Sequence, residues 1–263
     1  MAIIAVYNIK GGVGKTATAV NLSYMSAATG NNTLLCDLDP QGSSSYYFRV
    51  KSKKKFSADH FLEGGSSLEQ SIRGTDYEHL DILPSDFSYR NLDIALNHMK
   101  KSRKRLKPIL DPLKAEYQHI FLDCPPNITL LSENIFYAAD MVLIPFIPTT
   151  LSMLSFTKLL DFFKGSGIDR SKLFVVFSMV EQKKTIHRDM IDHFKGRKRI
   201  LNTFIPYVTD IEKMGIYRQP VPAYLPDSKA GQTYAELWRE IEKELLSQLD
   251  TDGPGCVSRD IHS

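Results

Sequence analysis

Residues 8–16 read Asn8-Ile9-Lys10-Gly11-Gly12-Val13-Gly14-Lys15-Thr16. The glycines permit backbone angles that bulkier residues resist. Consecutive N–H groups can then turn inward on an anion. Lys15 and Thr16 close the stretch. In a phosphate loop, a lysine at this place reaches the β- and γ-phosphates of a nucleotide, and the hydroxyl after it ligates Mg2+. Such a loop has meaning between a strand and a helix, whose N-terminus adds partial positive charge. The flanks fit: Ile3–Tyr7 reads as a buried strand and Ala17–Ala28 as a helix. The usual spacing is Gly, four residues, then Gly-Lys-Thr. Here Asn8 or Lys10 replaces the leading glycine, according to the frame chosen.

Two further strands end in acids. Thr33–Asp37 runs into Asp37-Leu38-Asp39-Pro40-Gln41-Gly42, and His119–Asp123 into Cys124-Pro125-Pro126. Acids at the C-terminal edge of parallel strands lie where open sheets bind ligands. The prolines stiffen the turn after Asp123.

With its second lysine, Lys10-Gly-Gly-Val-Gly-Lys-Thr16 resembles the deviant Walker A motif of the ParA/MinD family of ATPases. The two acid-ending strands resemble that family's second and third motifs, the latter Walker B-like. The likeness spans roughly residues 2–248. It implies ATP and Mg2+ as cofactors. Nucleotide contacts fall on Lys10, Gly11, Gly12, Val13, Gly14, Lys15, Thr16 and Ala17, with further ones at Ser178, Met179 and Pro206. Thr16, Asp37 and Asp123 are the metal-site residues. The resemblance gives Lys10, Lys15 and Asp39 catalytic roles. Asp39 positions or activates the attacking water, and Lys10 reaches across a homodimer to the partner's nucleotide. The relatives that match best are short ParA-like proteins without a helix-turn-helix leader, since the loop begins at once. Four positions depart from the pattern: Ile9, Ala17, Tyr207 and Asp210. The last two weaken the usual DNA-contacting surface.

The elements that must position these groups alternate. Further strands are expected at His79–Leu83, Met141–Pro145 and Leu173–Phe177, with a short one at Asn202–Ile205. Helices are expected at Ala58–Leu62, Ser67–Ile72, Thr149–Lys164, Thr185–Lys195 and Lys229–Leu249. Residues 87–117 read as a helical pair broken near Pro108 and Pro112. In the last helix Tyr234, Leu237, Trp238, Ile241, Leu245 and Leu249 recur with the spacing of one apolar face. Strand–helix alternation predicts an α/β fold, a doubly wound and mostly parallel sheet with helices on both faces. With the loop it is the P-loop NTPase fold. One ATPase domain over 1–249 and a disordered tail over 250–263 are expected.

The chain has 263 residues, 43% of them hydrophobic, and a net charge of +3, so any nucleic-acid contact must come from local patches. Cys36, Cys124 and Cys256 lack metal-ligand spacing, which fits a reducing cytoplasm. No signal peptide and no membrane-length apolar run is read. Lys183, Lys184, Arg188, Lys195, Arg197, Lys198 and Arg199 gather around one helix, with Arg218 on a later loop. These are the DNA-binding candidates, through phosphates and without sequence preference. Two other basic runs, Arg49 to Lys55 and Lys100 to Lys107, read as solvated by default and are the weaker DNA candidates, because they lie in the N-terminal half. His187 and His193 likewise read as solvated. The function that follows is an ATP-dependent homodimer, nucleoid-associated, that positions or segregates a plasmid, chromosome or protein cargo. Its hydrolysis is raised by a ParB-like or small adaptor partner. The alternative is a MinD-like membrane-cycling ATPase, which needs a basic amphipathic C-terminal helix. Asp250-Thr251-Asp252-Gly253-Pro254 breaks one. An iron–sulfur ATPase, a nucleotide-binding scaffold and a protein kinase fit less well.

Overall fold

The structure, a computed structural model, describes residues 1–53 and 56–251, the side chains of 249–251 excepted. The strands are β1 (Ala2–Val6), β2 (Thr33–Asp37), β3 (Arg73–Gly74), β4 (Leu80–Leu83), β5 (His119–Asp123), β6 (Met141–Phe146) and β7 (Leu173–Phe177). Among the described residues they form one seven-stranded sheet, ordered β3-β4-β2-β5-β1-β6-β7. Only the short β3 runs antiparallel to its neighbour. The helices are α1 (Lys15–Ala28), α2 (Ser43–Tyr47), α3 (Ala58–Glu63), α4 (Gly65–Glu69), α5 (Leu92–Asn97), α6 (Leu106–Leu110) and α7 (Leu130–Ala138). They continue as α8 (Thr150–Ser166), α9 (Thr185–Phe194), α10 (Thr209–Glu212), α11 (Met214–Tyr217), α12 (Val221–Tyr224) and α13 (Lys229–Thr251).

The parallel strands are apolar at nearly every position because helices cover both sheet faces. β1, β2, β5, β6 and β7 are buried throughout. Ile4, Val6, Leu35 and Phe121 pack toward α1 and α13. Ile3, Ala5, Leu34 and Ile120 face the other way, toward residues of α5, α7 and α8. The apolar stripe of α13 is core: Tyr234, Leu237, Trp238 and Ile241 are at most 1% exposed. Each such side chain contributes roughly 1.5–3 kcal/mol through burial. Leu249, assigned to the same stripe, lies outside the described side chains, and so do Lys54 and Lys55 of the first basic run. The tail expected over 250–263 begins inside α13, which runs to Thr251, and its remainder lies outside the described residues.

Three local expectations are corrected. Asn202–Ile205 is not a strand. Leu201 and Ile205 donate to Val175 and Phe177 of β7, but between them Glu240 of α13 takes the N–H groups of Asn202 and Thr203, at 2.6 and 2.9 Å. A carboxylate from another element replaces the ladder. The expected break within 87–117 is found at Pro112, where α6 gives way to a 3-10 turn at Asp111–Ala115, but not at Pro108, and a further break falls at 98–105. Pro108 is the third residue of α6, where no intrahelical N–H is required. The helix expected at Ser67–Ile72 is α4, which starts two residues earlier and ends at Glu69, with 70–72 in a turn ahead of β3.

Candidate active site

The loop between β1 and α1 is tied down at both ends. Asn8 is 7% exposed; its Nδ2 donates to the Pro145 carbonyl of β6 at 2.8 Å, and its Oδ1 accepts from the Lys10 N–H at 2.9 Å. The residue standing in for the leading glycine thus anchors the loop to the neighbouring strand. Gly14 adopts φ 86°, in the left-handed region, and a Cβ there would stand 3.1 Å from Ser178 Oγ. Ser178 Oγ donates to the Val13 carbonyl at 3.0 Å. Ser178, at the end of β7, therefore braces the loop from behind. The Met179 methyl lies beside Gly14. Pro206 is buried and bridges to Val180, the residue after Met179.

Lys15 opens α1 and is 8% exposed. Its Nζ donates to the Lys10 carbonyl at 2.8 Å. Burial lowers its pKa, while Asp123 and Asp39 work in the opposite direction. A desolvated ammonium held on a neutral carbonyl can exchange that partner for a phosphate. Lys10 is half-buried, at the mouth of the loop.

Behind the loop the sheet supplies two carboxylates. Asp37 and Asp123 are register partners on β2 and β5, and both are fully buried. α2 clasps one oxygen of each. Ser45 donates its N–H (2.8 Å) and hydroxyl (2.7 Å) to Asp37 Oδ2, and Ser44 donates its hydroxyl to Asp123 Oδ2 at 2.8 Å. The Thr16 hydroxyl bears on Asp123 as well. The other oxygen of each, Oδ1, is buried and has no hydrogen-bond partner. Both pKa values are raised, first by burial and then by neighbouring carboxylates, Asp123 on Asp37 and Asp39 on both. Two unpartnered carboxylate oxygens beside a hydroxyl form the oxygen-donor set that Mg2+ prefers. The residues thus fit the expected cation. Asp39, half-buried one turn on, accepts the Gln41 N–H on Oδ1 at 2.9 Å, while its carbonyl accepts from Ser85 Oγ at 2.6 Å.

The structure therefore brings together Lys10, Gly11–Ala17, Asp37, Asp39, Asp123, Ser178 and Met179, with Pro206 alongside. Sequence reasoning missed Ser44 and Ser45, reading them only as the start of a polar-to-aromatic stretch. The available signal was a run of hydroxyls directly after an Asp-rich turn. It also missed Asn8, whose amide was the cue.

The DNA candidates are not gathered on one end. Lys183 and Lys184 precede α9 at the strand-end edge, where Lys184 pairs with Glu181 at 2.5 Å. Arg188 bonds back to the Gln182 carbonyl at 3.1 Å. Lys195 and Arg197 follow the other end of α9, and the Arg197 guanidinium sits 4.9 Å from the Phe194 ring centroid. Lys198 and Arg199 line a cavity of about 600 Å3 at the strand-start edge. Arg218 stacks on Tyr46 of α2, its guanidinium 4.4 Å from the ring centroid. His187, expected in solvent, is 3% exposed, and its Nδ1 accepts the Glu181 N–H at 3.1 Å. Among the described residues no helix is long and apolar enough to cross a membrane.

Sheet order, loop and strand-end acids define a P-loop nucleoside triphosphatase. The AAA domain family (AAA_31) matches residues 1–170. The chain is similar to the chromosome partitioning protein ParA of Myxococcus xanthus, 30% identical over 92% of this chain and 88% of that one. It is also similar to the sporulation initiation inhibitor protein Soj of Bacillus subtilis, 29% identical over 91% of this chain and 97% of that one. The structure of a plasmid partition protein of Borrelia burgdorferi bound to AMPPNP superposes with TM-score 0.78 at 22% identity, covering 94% of this chain and 99% of the other. The chain belongs to the ParA/MinD family of ATPases.

Proposed function

We propose that this ATPase is a ParA-like positioning protein that closes into a homodimer on ATP, binds DNA without sequence preference and moves a cargo. Its cofactors are ATP and Mg2+. One observation carries the site assignment: two buried carboxylates, each with an unpartnered oxygen, sit behind a lysine-bearing glycine loop. When bound, Mg2+ neutralises charge on the β- and γ-phosphates. Thr16, Asp37 and Asp123 would hold it. Lys15 leaves the Lys10 carbonyl to bind phosphate, and the loop N–H groups cradle it. Asp39 orients the attacking water. Lys10 serves the partner's nucleotide, where it offsets the charge two facing triphosphates bring together. Ala17, Met179 and Pro206 border the nucleotide, with Ser178 supporting the loop beneath it. No arginine is assigned to the reacting phosphate, so basal turnover is slow and a ParB-like or small adaptor partner raises it.

Lys183, Lys184, Arg188, Lys195, Arg197, Lys198, Arg199 and Arg218 supply phosphate contacts that a dimer duplicates. The relatives named for chromosome partitioning support the cargo reading, and a nucleoid location follows from it. Residues 1–249 act as one ATPase domain. Sedimentation with ATP and Mg2+ tests the dimer. The wild-type chain should dimerise, and Lys10→Ala should bind ATP yet stay monomeric. A Lys10→Ala dimer of normal strength would remove the trans role of Lys10.

A further inference from the structure

Between α5 and α6 the chain carries Lys100, Lys101, Arg103, Lys104 and Arg105, with Lys107 in the first turn of α6 and no acid among them. This segment is a built turn. Asn134 of α7 is fully buried beneath it. Asn134 Oδ1 accepts from the backbone N–H groups of Arg105 (2.6 Å) and Leu106 (3.1 Å), and Nδ2 donates to the carbonyls of Ser102 (2.6 Å) and Leu130 (2.8 Å). That is the amide's whole capacity, two donors and two lone pairs, and most of it fixes the turn. Leu106 plugs the underside at 1% exposure.

The outer side is cationic. Lys100, Lys101, Arg103, Lys104 and Lys107 are exposed. Glu133 pairs with Arg103 at 3.2 Å, and Asp111 is shared between Lys107 at 3.8 Å and Lys114 at 3.1 Å. Among the described residues no ion pair engages Lys100, Lys101 or Lys104; the Lys104 ammonium lies 4.7 Å from the Tyr137 ring centroid. Lys172, at the foot of β7, lies near Lys107 but is not part of the patch: Asp140 and Asp169 stand beside it and its Nζ donates to the Ala139 carbonyl at 2.7 Å. Like charges collected this way repel and do not help the fold. A rigid mount for repelling cations makes sense when a polyanion arrives, because little order is lost on binding.

We infer that this turn is a contact surface for the phosphate backbone of duplex nucleic acid. Met99 and Leu106, the large apolar residues of the turn, point inward. A lipid surface would therefore gain attraction without insertion, which favours nucleic acid. The inference goes beyond the reading above, which places DNA on other side chains, and it does not depend on that placement.

The test is fluorescence anisotropy of the full chain with ATP, Mg2+ and random-sequence duplex, across a salt series. Lys100→Glu with Lys101→Glu should lower affinity at least about tenfold and flatten the log–log salt slope by about 1.8, at roughly 0.9 for each phosphate left without its lysine. Basal ATP turnover should be unchanged, which also reports an intact fold. Unchanged affinity and slope would overturn the inference. If only Lys183→Glu with Lys184→Glu and Arg218→Glu abolishes binding, this surface is wrong and the proposed function stands. If only the turn variant abolishes binding, this surface stands and the other placement is wrong. Wild-type protein that binds vesicles of anionic phospholipid but not duplex, or binds neither, also overturns it.

Discussion

Asp37 and Asp123 stand side by side behind the loop, where burial first and neighbouring carboxylates second disfavour their charged forms. Asp37→Asn removes one of these two ionisable groups. Nucleotide-free stability should then rise by about 1 kcal/mol, the scale of one pKa unit, a melting shift of roughly 2–4 °C for a chain this long. The stabilisation gained from ATP with Mg2+ should shrink in the same variant. Thermal melts with and without ligand check both, and a lower nucleotide-free melting point would refute a cost of burying Asp37. Lys15→Ala should abolish ATP binding by calorimetry, because among the described residues no other buried lysine or arginine reaches the loop. Asp39→Ala should bind ATP and accumulate the ATP-bound dimer. Phosphate release at the wild-type rate would remove Asp39 from the mechanism.

At the scale of elements, α13 and β5 meet in the core. His119, at the start of β5, bonds through Nδ1 to Ser26 Oγ at 2.9 Å and lies edge-on to Trp238. Burial pushes its pKa down to about 4. The unfolded chain therefore binds a proton between pH 6.5 and 4 that the folded chain refuses. This contribution is fully present above pH 6.5 and is lost as pH falls through that window, at up to about 1.4 kcal/mol per pH unit. The Asp37–Asp123 pair, with raised pKa values, works in the other direction. The difference between wild type and His119→Gln in urea melts at pH 7 and pH 5 isolates the histidine, and an identical pH response would exclude it. Gly231, in the first turn of α13, is a second point of close approach. A Cβ there would collide with the Leu225 carbonyl oxygen and stand 2.6 Å from that of Pro226. Both obstacles are backbone, so Gly231→Ala should destabilise by about 1–3 kcal/mol. A wild-type melting point would show that the 225–226 segment yields freely.

For the whole molecule, the charges relevant to a polyanion lie at two ends. Lys183, Lys184 and Arg218 are at the strand-end edge, on the side of the phosphate loop, and Lys198 and Arg199 are at the strand-start edge. Some of the first group are engaged within the chain, Lys184 by Glu181 and Arg218 by Tyr46. α2 carries both Tyr46 and the two serines that clasp Asp37 and Asp123. If the proposed DNA contacts are phosphate contacts, wild-type affinity should fall steeply and log-linearly between about 50 and 200 mM salt, whatever the duplex sequence. A flat salt response would exclude phosphate recognition.

The sequence by itself determined the loop, the acid-ending strands, the doubly wound sheet and the apolar face of α13. Each depends on neighbours in the chain: glycines beside a lysine, apolar runs of strand length, a helical period. Tertiary structure decided the rest. Glu240 captured the N–H groups of Asn202 and Thr203 and prevented a strand. Asn134 fixed a further break in 87–117, ahead of Pro108. Ser44 and Ser45 became partners of Asp37 and Asp123 only once α2 folded back under the sheet edge. Hydrogen bonds and charges from elements distant in sequence leave no local periodicity, so only the packed chain shows them.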